Sequence, residues 1–297
     1  MRLKGIYSHK SSASKIGIFF LLIFVSVVLH TLAALFFVFV LSSNGFEIIQ
    51  NQDLTNQASV NYLKLMQLFS GIGLFITPTL LYSYLTDFEF KFVSISRQSI
   101  ILVIAIMMLI TPFVGLLIEW NMKILFPEWL IQFNVNSEAI IIAFLKMHTI
   151  WDLFYTMLVI AVVPAVGEEL LFRGYLQKKL SNWLINPNTA ILISAFLFSA
   201  IHLDFYGIIP RFVLGVLLGY LFYWSGSIWL PILAHFVNNA QAVIFSYPPF
   251  KVDSGVYSIL SDEKTDPILA LFSFISVMLL IYVLHKNLGI QNNASQK

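Results

Sequence analysis

Long apolar runs alternate with short polar turns along the whole chain. Eight apolar segments cover approximately residues 16–41, 65–85, 99–118, 150–172, 189–203, 208–224, 228–245 and 268–284. A helix needs about 20 apolar residues to cross the hydrocarbon core of a bilayer. The shorter segments would need tilt and flanking polar residues to reach that length. The pattern predicts an all-α polytopic membrane helix bundle with about eight transmembrane helices.

Composition supports a membrane protein and excludes several other classes. Hydrophobic residues make up 59% of the chain and charged residues 11%, whereas a soluble domain carries about 25% charged residues. The net charge of +2 is too small to indicate a nucleic-acid partner. The chain has no cysteine, which excludes disulfides, thiolate metal sites and a cysteine nucleophile.

The distribution of positive charge predicts an orientation. With eight spans, both termini and the loops after each even-numbered span share one side of the membrane. Eleven of the 17 Lys and Arg residues fall on that side. Because cytoplasmic loops are enriched in these residues, we expect both termini in the cytoplasm.

Two adjacent carboxylates, Glu168 and Glu169, lie within the fourth apolar segment of a chain that has only 15 acidic residues. An ionisable side chain at membrane depth is costly and indicates a functional site. Glu169 and Arg173 are four residues apart, so an ion pair within one helix is available. Glu168 points about 100° away around the helix. We therefore predict that Glu169 is neutralised by Arg173 while Glu168 faces a cavity.

Three further polar side chains fall at a similar depth in later segments: His202, His235 and Asn239. With a rise of 1.5 Å per residue, these three and Glu168 lie about 14–21 Å from the same membrane surface. His235 and Asn239 are four residues apart and point the same way. Placing four polar side chains at one depth in a membrane costs free energy, which indicates that they share a function.

These residue types fit two kinds of hydrolytic chemistry. A carboxylate and an imidazole can hold a water molecule and take its proton, while a second histidine and an amide stabilise the oxyanion that forms. Alternatively, Glu168, His202 and His235 could hold a zinc ion with an open position for water. The cofactor therefore stays open between zinc and none.

Two smaller patterns concern helix structure. Asp152, near the start of the fourth segment, is predicted to cap that helix. Gly215 and Gly219 form a Gly-x-x-x-Gly face that favours close helix packing. Asp204 follows His202 closely, and we assign it to a polar loop in preference to orienting the imidazole.

Three motifs in order on successive helices resemble the CPBP family, the CAAX prenyl endopeptidases of type II and bacteriocin-processing proteins, also called the Abi family. The motifs are Glu168-Glu169-x-x-x-Arg173, Phe198-x-x-x-His202 and His235-x-x-x-Asn239. The resemblance covers about a third of the chain. It implies an intramembrane endopeptidase in which Glu168 with His202 activates water and His235 with Asn239 stabilises the oxyanion. By the same resemblance Glu169, Arg173 and Phe198 support the site.

The resemblance leaves more than one activity open for this protein. The expected function is hydrolysis of a peptide bond in a membrane-tethered peptide or protein, with processing of a CAAX C-terminus as the family prototype. Both glutamate-dependent and metal-dependent mechanisms have been argued for the family. The competing class is a non-catalytic membrane protein for bacteriocin self-immunity or scaffolding. A transporter that uses Glu168 as a proton carrier is a third possibility.

The resemblance also divides the chain. Residues 1–149 would hold transmembrane helices 1–3 and a long connecting loop, 150–245 the catalytic core, and 246–297 the last transmembrane helix with a polar tail. The expected partners are the lipid bilayer and a membrane-tethered substrate, with no nucleic acid. The expected location is a prokaryotic cell (inner) membrane.

Overall fold

The computed structural model describes residues 3–42, 45–51, 53–184, 186–250 and 265–295. The chain in these ranges is helical and has no β-strand, so the predicted all-α class is confirmed. The helices are α1 Ser12–Leu41, α2 Gly45–Asn51, α3 Gln57–Thr86, α4 Arg97–Leu109, α5 Thr111–Met122, α6 Glu128–Leu145, α7 Ile150–Trp183, α8 Pro187–Ala200, α9 Ile208–Ser225, α10 Trp229–Ser246 and α11 Pro267–Ser295. A 3₁₀ turn, Phe205–Gly207, leads into α9.

The predicted count of about eight transmembrane helices is not confirmed. In the described part of the chain, five helices are long and apolar enough to cross a membrane, or six if the pair α4 and α5 is one span bent by 42°. Pro112 at the start of α5 accounts for that bend, because proline lacks a backbone donor and clashes with the preceding turn. The predicted orientation assumed eight spans and therefore stays a prediction.

Two of the predicted segments, although helical, fall short of spans for different reasons. Helix α8 has 14 residues, which is about 21 Å of helix against a hydrocarbon core of about 30 Å. Helix α10 has 18 residues, but His235, Asn239 and Gln241 interrupt its apolar surface. Both helices carry candidate site residues. The short helix and the polar helix therefore lie in the region of the candidate site.

The outer helices present apolar surface. Phe20, Phe24 and Phe36 on α1 are 61–67% exposed, and Phe272 and Tyr282 on α11 are about as exposed. A soluble protein rarely exposes contiguous apolar patches of this kind. This surface suits contact with lipid tails, and it supports an integral membrane protein.

Helix α7 is the element that positions the candidate site. It begins at a capping box between Thr149 and Asp152, as predicted for Asp152. Two π-helical stretches, Met157–Val162 and Leu170–Gln177, flank the α-helical turn that holds both glutamates. Such stretches occur frequently at functional sites. Helix α7 packs against α3, α8 and α10, so its side chains reach several neighbours.

The predicted close packing at Gly215 and Gly219 is present between α8 and α9. A Cβ atom at Gly219 would come within 2.7 Å of Ile191, and one at Gly215 within 3.2 Å of Ala195. The small residues also leave their carbonyl groups open to side chains of α7. Gln177 donates a hydrogen bond of 3.0 Å to the carbonyl of Gly219.

Candidate active site

Glu169 and Arg173 form a fully buried ion pair on α7. The Nη1 of Arg173 donates to Oε1 of Glu169 over 2.8 Å, and both side chains have no exposed surface. Arg173 also donates through Nη2 to the carbonyl of Gly215 over 3.0 Å, and its guanidinium lies 4.5 Å from the centre of the Phe198 ring. One arginine thus joins α7 to both α8 and α9.

His235 completes this buried cluster from α10. Its Nδ1 lies 2.9 Å from Oε1 of Glu169, the same oxygen that Arg173 contacts. Because an ionised carboxylate is an acceptor only, Nδ1 carries the proton and donates to Glu169. The other ring nitrogen, Nε2, then faces Glu168 at 3.9 Å. The sequence spacing indicated a pair of His235 with Asn239 and did not indicate this contact with Glu169.

Glu168 lies on the other side of α7 and meets two imidazoles. Its Oε2 is 3.8 Å from Nε2 of His202 and 3.9 Å from Nε2 of His235. These separations are too long for direct hydrogen bonds. Among the described residues, Oε2 of Glu168 is buried and has no hydrogen-bond partner. It is therefore available to a water molecule or a substrate.

Phe198 orients His202 through its backbone and its ring. The Nδ1 of His202 is 2.8 Å from the carbonyl of Phe198, so Nδ1 donates and a neutral ring presents the Nε2 lone pair to Glu168. The Phe198 ring packs edge-on against His202 and His235, with centroids 5.2 Å and 5.8 Å away. Asp204, by contrast, pairs with Arg211, in line with its assignment to a loop.

Asn239 is held in place by two hydrogen bonds that the sequence did not reveal. Its Nδ2 donates to the carbonyl of Ile160 on α7 over 3.0 Å. Its Oδ1 accepts from Nδ2 of Asn238 over 3.1 Å. These bonds identify the oxygen and the nitrogen of the Asn239 amide. They use only one of the two N–H groups of its side chain. The other N–H can donate to another group.

Glu168, His202, His235 and Asn239 all line one cavity of about 550 Å³. Glu169 and Arg173 lie behind its wall and do not line it. The rest of the lining is mostly apolar and comes from six helices: Met107, Ile140, Ile141, Phe144, Val159, Ile160, Pro164, Phe198, Leu214, Leu218 and Ala242. Ligand sites commonly enclose about 300–1,000 Å³ with a few polar groups among apolar ones, and the cavity matches this description.

Three polar residues of the cavity were missed as candidates: Gln67, Arg211 and Asn238. Gln67 lies on α3, far from the motifs along the chain. Arg211 lies near the start of α9 and belongs to none of the three motifs. Asn238 adjoins Asn239 and could have been noticed from the paired asparagines alone.

The donor atoms stand wider apart than a tetrahedral zinc site would hold them. Zinc bonds of about 2.0–2.1 Å in a tetrahedral site place neighbouring donor atoms roughly 3.4 Å apart. Glu168 stands 3.8 Å and 3.9 Å from the nitrogens of His202 and His235. Across the ranges that the structure describes, no group of three His, Asp or Glu side chains is arranged to hold a metal ion. We therefore derive the chemistry from the side chains themselves.

The fold and this cluster together define an all-α integral membrane protein in which buried carboxylates and two histidines meet at a cavity. The resemblance inferred from the motifs is confirmed: residues 149–241 match the family described as type II CAAX prenyl endopeptidase Rce1-like, which is consistent with the CPBP family. The matched region contains all seven motif residues.

One curated relative is an uncharacterized protein, YpbD, of Bacillus subtilis (strain 168). It is 34% identical over 120 residues, which cover 39% of this chain and 56% of the relative. The chain thus matches a little over half the length of that relative. No solved structure matches the chain significantly.

Proposed function

We propose that the protein is an intramembrane endopeptidase that hydrolyses a peptide bond of a membrane-associated substrate. The observation that carries the proposal is the approach of two histidine Nε2 atoms, at 3.8 Å and 3.9 Å, to the same oxygen of Glu168 inside a cavity. A polar gap of this width is bridged by one water molecule, with a bond of about 2.8 Å to each group.

The nucleophile is a water molecule held between Glu168 and His202. Because Nδ1 of His202 donates to the carbonyl of Phe198, its Nε2 and the carboxylate of Glu168 both accept from that water. The two acceptors turn the lone pairs of the water oxygen towards the substrate. As that oxygen attacks the carbonyl carbon, its proton passes to Glu168.

The negative charge that develops on the carbonyl oxygen is stabilised by His235 and Asn239. In this account both ring nitrogens of His235 carry a proton: Nδ1 donates to Glu169, and Nε2 donates to the oxyanion. The free amide N–H of Asn239 is the second donor. Donors fixed in a dry site contribute strongly to catalysis, about 10²- to 10³-fold for one donor.

Cleavage is complete when the tetrahedral intermediate collapses. The C–N bond breaks, and Glu168 returns the proton that it took from water to the leaving amine. The carboxylate of Glu168 is thereby regenerated, and His235 keeps its own proton throughout. No reactant besides water and the peptide is needed for this balance.

The family match and the cavity lining support the proposed substrate class. The matched family is named for prenyl endopeptidases of the CAAX type, and the cavity wall combines apolar side chains with a few polar ones. We propose a membrane-tethered peptide or protein as substrate, with CAAX-type C-terminal processing as the prototype. The region of residues 150–245 would form the catalytic core.

The test is cleavage of quenched fluorogenic peptides, with and without a prenylated cysteine, by purified protein in liposomes. Glu168→Gln should lower kcat/KM by about 10²- to 10⁴-fold while the thermal unfolding midpoint stays near that of the wild type. Asp152→Asn is the matched control, because Asp152 is a carboxylate of the same helix that lies at its cap, away from the cavity. A strong chelator should leave wild-type cleavage unchanged.

Three results would contradict the proposal. Full activity in Glu168→Gln would remove the glutamate from the mechanism. Loss of activity to chelator with recovery on adding zinc would replace it with a metal-dependent one. Cleavage of none of the peptides by well-folded protein would favour the non-catalytic immunity or scaffold class.

A further inference from the structure

Arg211 is a charged residue of the cavity that the proposed mechanism does not use. It lines the same cavity as Glu168 and His202, and its positive charge acts on both of them. Its side chain is 26% exposed. Part of the side chain is therefore accessible to a group that enters the cavity.

The position of Arg211 is built by the turn that precedes it. Its Nη2 pairs with the carboxylate of Asp204, and its Nη1 donates to the carbonyl of Asp204 over 3.2 Å. The fully buried Asn121 ties down the same turn: Nδ2 donates to the carbonyl of Phe205 over 2.7 Å, and Oδ1 accepts from the backbone of Ile209 over 2.8 Å. The guanidinium is thus held by Asp204, in a turn that Asn121 of α5 fixes in place.

The guanidinium still has donors to offer. Arginine carries five N–H groups, and the two contacts with Asp204 use two of them. A planar guanidinium matches a carboxylate with two parallel hydrogen bonds. The ligand that suits the remaining donors is therefore a carboxylate that enters the cavity.

The neighbours of Arg211 on α9 indicate what carries that carboxylate. Leu214 and Leu218 line the same cavity and follow Arg211 at three and seven residues, so the three share one face of the helix. A ligand lying along this face would place apolar side chains against the leucines and its anionic end at Arg211. The end of a peptide chain with apolar side chains has this combination of groups.

We propose that Arg211 binds the C-terminal carboxylate of the substrate. This inference rests on the proposed peptidase function, because it places the substrate in the same cavity. Arg211 is a specificity residue in this account, and the reacting atoms remain with Glu168 and the histidines.

The experiment compares two peptides that differ only in a C-terminal carboxylate or carboxamide. The wild type should cleave the carboxylate form with a kcat/KM about ten- to hundredfold higher, because a hydrogen bond to a charged group is lost with the amide. The difference should appear in KM. In Arg211→Gln the ratio between the two peptides should fall to near one, and Arg211→Lys should keep part of it.

Asp204→Asn separates carboxylate binding from a structural role of the ion pair. It removes the partner of Arg211 and keeps the cation, so the preference for the carboxylate peptide should persist. If the pair only held the turn, Asp204→Asn and Arg211→Gln would reduce cleavage of both peptides alike. That result, or equal cleavage of the two peptides by the wild type, would overturn the inference.

A binding measurement separates this inference from the proposed function. Glu168→Gln, which cannot activate water in this account, should bind the carboxylate peptide about tenfold or more tightly than the amide, and adding Arg211→Gln should abolish the difference. Arg211-dependent binding without any wild-type cleavage would refute the peptidase and keep the carboxylate site. Cleavage without any preference would keep the peptidase and refute the carboxylate site.

Discussion

Two neighbouring carboxylates on α7 lie in different environments. Glu169 and Arg173 define the sealed face of the helix, and Glu168 defines its cavity face. On the sealed face, Glu169 is fully buried and meets Arg173 at 2.8 Å and His235 at 2.9 Å. On the cavity face, Glu168 comes no closer than 3.8 Å to a histidine. Each carboxylate keeps one buried oxygen without a hydrogen-bond partner among the described residues, but of the two only Glu168 lines the cavity. In the proposed mechanism, neighbouring positions of one helix thus separate a structural charge from a reactive one.

The two faces also differ in what they connect. The sealed face reaches α8, α9 and α10 through direct contacts of Arg173 and Glu169. On the cavity face, Glu168 is separated from His202 and His235 by gaps of 3.8 Å and 3.9 Å. Changes at Glu169 and Arg173 should therefore lower the stability of the bundle and also affect the reaction through the bond between Glu169 and His235. A change at Glu168 should affect the reaction with little loss of stability.

The largest expected effect on the sealed face comes from Arg173→Met. This change leaves Glu169 buried beside an apolar side chain, and removing one partner of a buried ion pair costs about 3–5 kcal/mol. The double variant Glu169→Gln with Arg173→Met removes both charges and should recover much of that loss. The measurement is the free energy of unfolding in detergent. Equal losses in the single and double variants would contradict the assignment of this pair.

A smaller effect is expected at the packing between α7, α8 and α9. In Gly219→Ala the added Cβ would lie 2.7 Å from Ile191 and 3.0 Å from Oε1 of Gln177, and overpacking of this kind costs about 1–3 kcal/mol. Gly17→Ala on α1 is the matched control, because nothing lies within 4 Å of its added Cβ. The same unfolding measurement applies. A loss in the control as large as that at Gly219 would refute the packing argument.

The sequence was sufficient for the helical class and for the order of the polar residues along the helices. Apolar runs and the spacing of Glu169 and Arg173 are local properties of the sequence. Helix periodicity is enough to predict from them which residues share a face of the helix. The count of spans was not predictable in the same way. Helix α8 is short, and α10 carries polar residues that face the cavity, so length and composition alone do not decide whether they cross the membrane.

The contacts that complete the candidate site depend on how helices meet. Glu169 pairs with His235 across 66 positions of the chain, and Asn239 donates to the carbonyl of Ile160. No periodicity encodes such contacts, because they depend on the distance and rotation between two helices. The orientation of His202 by the Phe198 carbonyl is local, and the Phe-x-x-x-His spacing could have indicated it.

The most direct test of the central claim is a parallel measurement on Glu168→Gln and Glu169→Gln. For both variants we would measure kcat/KM on a cleavable peptide and the free energy of unfolding. We expect Glu168→Gln to lose about 10²- to 10⁴-fold in kcat/KM with little change in stability. We expect Glu169→Gln to lose several kcal/mol of stability, because Arg173 is then buried without its partner. The reverse pattern, or full activity in Glu168→Gln, would contradict the division of roles between the two faces.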